Sequence, residues 1–167
     1  MDPIRIRIAM THPAPAKDTD RYFEAIEAGE VFEVEDARTI TEADIVNFAG
    51  VSGDFHRHHV SKAFAEKDSN FEGRVAHGNL TFVITEGVIA EMNPKALSYG
   101  HNVRYHRPVK IGDTLSVKRT VTETEDYDDT YGRVVYEYET RNQDGDVVLV
   151  DEHIMLIRKE GTESKRL

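Results

Sequence analysis

The chain has 167 residues, enough for one domain with a sizeable hydrophobic core. It contains no cysteine, which excludes disulfide bonds and thiolate metal sites and fits a reducing cytoplasm. The formal net charge of −10 disfavours a nucleic-acid groove, because such a groove needs clustered Lys and Arg, and no apolar run approaches the length of a membrane span. We therefore expect a cytoplasmic protein with neither a nucleic-acid nor a membrane partner.

The N-terminus is predicted to form a short strand followed by an extended arm. Ile4, Ile6 and Ile8 alternate with arginines, which is typical of a strand and unlike the apolar core of a signal peptide. Residues 11–20 are rich in proline and show no periodicity. The predicted divisions are a strand and arm over residues 1–20, one domain over residues 21–159 and a polar tail over residues 160–167.

The first half of the domain is predicted to contain short helices on either side of a glycine-flanked loop. Thr41 is a good N-cap and Asp44 follows three residues later, a weaker form of the capping box. The predicted elements are a helical turn over residues 21–28, a strand over 31–38, a helix that ends at Gly50 and a second short helix over 61–67.

The second half is predicted to be one long helix followed by strands. The helix starts near Gly78 and stops at Asn93-Pro94. Its apolar residues recur at three- and four-residue intervals: Leu80, Val83, Ile84, Val88 and Met92. The predicted strands cover residues 101–106, 114–125, 131–142 and 147–158 and form an antiparallel meander. One long apolar helix with several antiparallel strands predicts an α+β fold in which the sheet wraps around the helix.

Two features between residues 50 and 92 indicate chemistry. Asp54 and His59 lie five residues apart in the loop, where a carboxylate and an imidazole could share a proton. Gly78 begins a helix, whose unpaired N–H groups and partial positive charge could stabilise a developing anion. Addition of water across an activated double bond requires this combination of an acid/base pair and an oxyanion donor.

The same stretch resembles the MaoC-like, (R)-specific enoyl-CoA hydratase family. That family's pattern runs Ser-Gly-Asp-x-Asn-Pro-x-His and continues with a Phe…Ile-Ala-His-Gly-Met block. The matching residues here are Ser52-Gly53-Asp54-Phe55-His56-Arg57-His58-His59 and Phe71-Glu72-Gly73-Arg74-Val75-Ala76-His77-Gly78-Asn79. Asp54, His59, His77 and Gly78 keep the pattern. His56-Arg57 replaces Asn-Pro, and Asn79 replaces Met.

The resemblance implies a hot-dog fold, a homodimer whose sheets join edge to edge, and an acyl tunnel near the subunit interface. It also implies reversible hydration of a trans-2-enoyl thioester without metal or redox cofactor. Coenzyme A (CoA) is the expected carrier of the acyl group, and acyl carrier protein remains an alternative. Asp54 and His59 would activate water and deliver a proton, and the Gly78 N–H would bind the thioester oxygen.

The remaining candidates are substrate contacts. For each of them a purely structural role is the alternative, as part of the core, the scaffold or the solvated surface. The expected substrate-binding residues are Phe48, His56, Arg57, Phe71, Arg74, Val75, His77, Asn79 and Phe82. The two arginines and the departures from the family pattern suggest a short or polar acyl group. No metal site is expected from His56, His58 and His59, because three histidines of one short loop cannot easily converge on one ion.

Two other functions remain open at this point. A hot-dog thioesterase would use a carboxylate on the same fold but would release free thiol. A non-catalytic acyl-binding subunit would be inert alone and would need a partner, since a shared fold does not guarantee activity.

Overall fold

The computed structural model describes residues 5–7, 20–67, 70–89 and 93–163. Within them, a six-stranded sheet packs against one central helix, as the α+β prediction requires. The strands are β1 (Arg5–Arg7), β2 (Val31–Thr39), β3 (Ala96–Tyr105), β4 (Thr114–Asp126), β5 (Tyr131–Arg141) and β6 (Val147–Arg158). Their order is β1-β2-β4-β5-β6-β3; β1 pairs with β2 in parallel, and all other pairs are antiparallel. The predicted arm lies largely outside the described residues.

The helices are α1 (Glu42–Ser52), α2 (Arg57–Val60), α3 (Lys62–Lys67) and α4 (Gly78–Ile89), with a 3-10 turn at Phe23–Ala25. The predicted capping box is present, since Thr41 and Asp44 bond each other's backbone N–H groups. The predicted end of α1 at Gly50 is wrong. The helix continues to Ser52 and ends at Gly53, whose φ of +76° and bond to Ala49 O form a left-handed C-cap.

The core lies between α4 and the inner face of the sheet. Leu80 and Ile84 of α4 are buried in it together with Leu115 and Leu149. Burial alternates along β4 from Thr114 to Val121, which explains why its strand pattern was readable from the sequence. Val83 belongs to the predicted apolar stripe but is 54% exposed, and Met92 lies outside the described residues.

Strand β3 begins at Ala96, five residues before the predicted start. Its register on β6 shifts between Ser98 and Gly100, and this irregularity interrupts the alternation that a sequence pattern needs. In the ranges described above, no helix combines the length and apolar character needed to cross a membrane.

The end of α1 gives a stability prediction with an internal control. Gly53→Ala should lower the free energy of unfolding by about 1 kcal/mol, because a Cβ disfavours the left-handed backbone. Gly50→Ala should instead raise it by about 0.5–1 kcal/mol, because Gly50 lies inside the helix. A Cβ at either position would meet no heavy atom within 4 Å, so packing does not confuse the comparison. Urea unfolding measures both; equal effects would contradict the assigned helix end.

Candidate active site

Asp54 lies in the loop directly after α1, and local hydrogen bonds hold it there. Ser52 Oγ donates to Phe48 O at 2.7 Å and accepts the Asp54 N–H at 3.2 Å. Asp54 Oδ1 accepts the backbone N–H of His56 at 3.0 Å. This last bond lowers the pKa of the Asp54 carboxyl below its ordinary value. The carboxylate is therefore ionised at neutral pH, and its side chain is 52% exposed.

The imidazole of His59 directs its Nε2 atom towards the Asp54 carboxylate. Its Nδ1 lies 2.8 Å from the carbonyl oxygen of Val75, which can only accept, so Nδ1 carries the proton. In the neutral ring, Nε2 therefore has a free lone pair, and it lies 4.0 Å from Asp54 Oδ2. Burial lowers the pKa of His59 below its ordinary value. At neutral pH the ring is a neutral base directed towards a carboxylate.

His77 is buried behind this pair and positions both members. Its Nε2–H donates to the carbonyl oxygen of Asp54 at 2.9 Å. Its ring stacks on His59 with 3.8 Å between the ring centres, and Phe48 packs against it at 5.0 Å. His77 is therefore a positioning residue in this structure and is not among the residues that line the cavity.

Gly78 is the first residue of α4 and lies at the cavity wall. The first N–H groups of a helix have no intrahelical acceptor and carry partial positive charge. A Cβ at this position would lie 3.0 Å from the ring of Tyr105, whose hydroxyl donates to Asn79 Oδ1 at 2.7 Å. The glycine thus allows β3 to pack closely against the start of the helix.

A cavity of about 470 Å³ adjoins His59 and Gly78. Its lining combines apolar side chains with four histidines and one arginine. Its lining residues are His56, His58, His59, Phe71, Val75, Ala76, Gly78, Thr81, Tyr105, His106, Arg107, Pro108, Val109 and Val148. Of the predicted site residues, the structure places five on this cavity: His56, His59, Phe71, Val75 and Gly78. Asp54 lies beside it through the contact with His59.

The other predicted contacts lie elsewhere. Arg74 pairs with Glu42 at 2.6 Å, and the guanidinium of Arg57 lies 4.0 Å from the ring centre of Phe64. Phe48 packs against the core, and Phe82 contacts the ring of His101. The arginine that does line the cavity is Arg107, which neighbours Asp146 at 3.4 Å.

Sequence analysis missed several lining residues. His58, Thr81 and Tyr105 carry no motif signal of their own, and they come together only through tertiary contacts. Ala76 N–H donates to Val109 O, and Val75 N–H donates to His58 O, which brings these segments around one cavity. The available signal was the clustering of Arg104, His106 and Arg107 in the sequence, because an anionic substrate group needs local basic residues.

Asp54, His59 and His77 also offer potential ligand atoms within 4.8 Å of one another. Each of the two histidines already directs one ring nitrogen at a backbone carbonyl, and Asp54 is half exposed. The expectation of a metal-free reaction stays a prediction.

A second titratable group lies outside the cavity, between α4 and strands β3 and β6. It comprises Glu86, His101, Asp151 and His153, which we call the inner cluster. Burial raises the pKa of Glu86 to about 7 and lowers that of His153 to about 4. No sequence motif pointed to it.

Fold and site together define a hot-dog protein with a carboxylate and an imidazole side by side next to a helix start. The model of the MaoC like domain matches residues 24–142, and the chain belongs to this family. It is 36% identical over 103 residues to the (R)-specific enoyl-CoA hydratase of Rhodospirillum rubrum, covering 60% of this chain and 69% of that protein. It is 41% identical over 103 residues to Protein MaoC of Klebsiella aerogenes, again over 60% of this chain, but spans only 30% of that longer protein.

Solved structures agree with the fold. The R-hydratase PhaJ1 from Pseudomonas aeruginosa superimposes with a TM-score of 0.71 and 29% identity, over 87% of this chain and 94% of that one. A protein from Archaeoglobus described as a monoamine oxidase regulatory protein gives a TM-score of 0.77 and 35% identity, over 84% and 95% of the two chains. The predicted hot-dog fold and family membership are confirmed.

The electrostatics of the pair give a spectroscopic prediction. The pKa of His59, measured by NMR titration of the histidine rings, should lie below the ordinary value of about 6.5 because the ring is buried. Asp54→Asn should lower it further, since the carboxylate stabilises the protonated ring. Asp36→Asn, the same change at an exposed position outside the cavity, should leave it unchanged. A His59 pKa at or above the ordinary value would contradict the described burial.

Proposed function

We propose that the protein is an (R)-specific enoyl-CoA hydratase, which adds water reversibly to a trans-2-enoyl thioester. The observation that carries this proposal is the 4.0 Å gap between His59 Nε2 and Asp54 Oδ2. The gap is too long for a direct hydrogen bond but suits a water molecule that contacts both atoms. Membership of the MaoC-like family and the similarity to an (R)-specific hydratase support the same reaction.

The reaction follows from the state of the pair. With His59 neutral and Asp54 ionised, both atoms can accept hydrogen bonds from the bound water and orient its oxygen towards C3 of the enoyl group. As the oxygen bonds to C3, the pair takes up one water proton. A proton is delivered from the pair to C2, so one water is added across the double bond and the pair returns to its starting state. The reverse sequence is dehydration.

Negative charge builds on the thioester oxygen while the bond to C3 forms. The start of α4 at Gly78 would bind this oxygen through a backbone N–H, aided by the helix dipole. Such a fixed donor is worth roughly 3 kcal/mol in other enzymes. His77 supports the step indirectly, because it holds the Asp54 loop and the His59 ring on one side and precedes Gly78 on the other.

The substrate would enter along the cavity with its acyl chain against Phe71, Val75 and Val109. Arg107 and His106, which line the same cavity and are exposed, are suited to the phosphates of CoA. Arg107 offers local positive charge in a chain whose overall charge would repel an anion. The chemistry needs neither a metal nor a redox cofactor, because water, an acid/base pair and an oxyanion donor complete it.

The assembly proposed with this function is a homodimer in which two β3 strands pair. In the described sheet, β3 is the last strand, and Tyr99 and Tyr105 on it are 60% and 51% exposed. An exposed strand edge is a template for pairing with another chain. Light scattering should give twice the monomer mass across a concentration series. A monomer mass at every concentration would contradict the dimer.

The function is tested by following loss of the enoyl absorbance of crotonyl-CoA together with a free-thiol assay. Wild-type protein should remove the enoyl signal without releasing thiol. Asp54→Asn and His59→Gln should each lower kcat/KM by at least about 100-fold, because each removes one partner of the acid/base pair. Asp36→Asn should retain wild-type activity.

The other outcomes separate the rival functions. Thiol release would identify a thioesterase. If neither signal appears with crotonyl-CoA or with a panel of longer and polar enoyl-CoA substrates, the hydratase proposal fails and the non-catalytic subunit remains. Full activity in both pair variants would remove Asp54 and His59 from the mechanism even if water addition is observed.

A further inference from the structure

The inner cluster brings four potential ligands together between the central helix and the sheet. Glu86 comes from α4, His101 from β3, and Asp151 and His153 from β6. One ligand atom from each lies within 4.8 Å of the other three. Asp151 Oδ2 is 2.8 Å from His101 Nδ1, and Glu86 Oε2 is 3.4 Å from His153 Nδ1. Metal–ligand distances of about 2.0–2.1 Å in a tetrahedral site place neighbouring ligand atoms about 3.3 Å apart, which is close to these separations.

Ser98 orients both histidines of the cluster. Its Oγ lies 2.9 Å from His153 Nε2 and 3.3 Å from His101 Nε2. The hydroxyl oxygen has two lone pairs and can accept an N–H from each ring. Both rings then direct Nδ1 towards the carboxylates. Metal-binding histidines are commonly fixed in this way, by a hydrogen bond from the nitrogen that does not bind the metal.

The cluster also holds buried polar atoms that the surrounding protein does not satisfy. Asp151 is fully buried, and its Oδ1 has no hydrogen-bond partner within the described part of the chain. The same holds for Glu86 Oε1 and for His153 Nδ1, whose side chain is only 6% exposed. A proton on His101 Nδ1 satisfies Asp151 Oδ2 but none of these three. Leaving a buried polar group unpaired costs about 1–3 kcal/mol, and more for a charged one.

The cluster also carries more negative than positive charge. Two carboxylates lie beside two imidazoles, and the ion pairs made by the described residues bring no Lys or Arg to either carboxylate. Burying carboxylates without a full counter-charge is unfavourable. A divalent cation would neutralise both while the two histidines remain neutral ligands.

We propose that the inner cluster is a zinc site in which Glu86, His101, Asp151 and His153 bind one Zn²⁺. Two imidazole nitrogens and two carboxylate oxygens are ligands that this ion accepts in a four-coordinate site. The ion would join the central helix to two adjacent strands. None of its four ligands lines the cavity beside His59, so the site is separate from the proposed hydration chemistry and has a structural role.

The test is titration of chelator-treated full-length protein with Zn²⁺ by calorimetry. Wild-type protein should bind one equivalent tightly, and bound Zn²⁺ should raise Tm, because a ligand of the native state stabilises it. Glu86→Gln and His101→Gln should each weaken binding by at least about tenfold and reduce the Tm shift. These two positions are chosen because their side chains are 27% and 25% exposed, whereas substitution of the fully buried Asp151 could prevent folding.

A matched control distinguishes the inner cluster from the group formed by Asp54, His59 and His77. His59→Gln makes the same chemical change at the other possible ligand group and should leave tight Zn²⁺ binding intact. Circular dichroism checks that each variant is folded, and Co²⁺ absorption in the visible range reports four-coordinate geometry. Three results would overturn the proposal: no tight equivalent in wild-type protein, tight binding that survives both Glu86→Gln and His101→Gln, or tight binding lost in His59→Gln.

Discussion

The hydrogen bond from His59 Nδ1 to the Val75 carbonyl is the contact on which the site depends. It fixes the proton on one ring nitrogen and leaves the other directed at Asp54. The bond joins the short helix α2 to the segment before α4, which are separate in sequence. Because the acceptor is a backbone oxygen, the constraint comes from the path of the chain and does not require a particular side chain at position 75. The tautomer of His59 is therefore set by the fold.

Helix ends supply the other half of the arrangement. Helix α1 stops at Gly53 in a left-handed conformation, and Asp54 follows at once. Helix α4 starts at Gly78, immediately after the histidine that bonds the Asp54 carbonyl. The Asp54/His59 pair thus follows one helix end, and the proposed oxyanion donor lies at another helix start. The buried His77 ring between them keeps their spacing, because its stack and its hydrogen bond act on both members of the pair.

Local sequence patterns predicted the elements with strong periodicity and the residues of one motif. The alternation in β4, the capping box at Thr41 and the helix after Gly78 all follow from local preferences. The early start of β3 could not be read, since a register shift near Gly100 breaks its alternation. Arg74 was expected to contact substrate from its place in the motif; its ion pair with Glu42 could not be read from the sequence, because the two residues are 32 positions apart. The inner cluster could not be predicted from the sequence either, because its members lie on three different elements and come together only in the folded protein.

The close approach of Tyr105 to Gly78 has a consequence for which sequences this fold can accept. The residue at position 78 must provide a backbone N–H at the helix start, and it must also leave room for the aromatic ring of Tyr105. A larger residue there would need to push away a ring that is also held by its hydroxyl bond to Asn79. Change at these positions is thus coupled: relatives that lose the ring at 105 are released from the steric need for glycine at 78, whereas those that keep the ring are not.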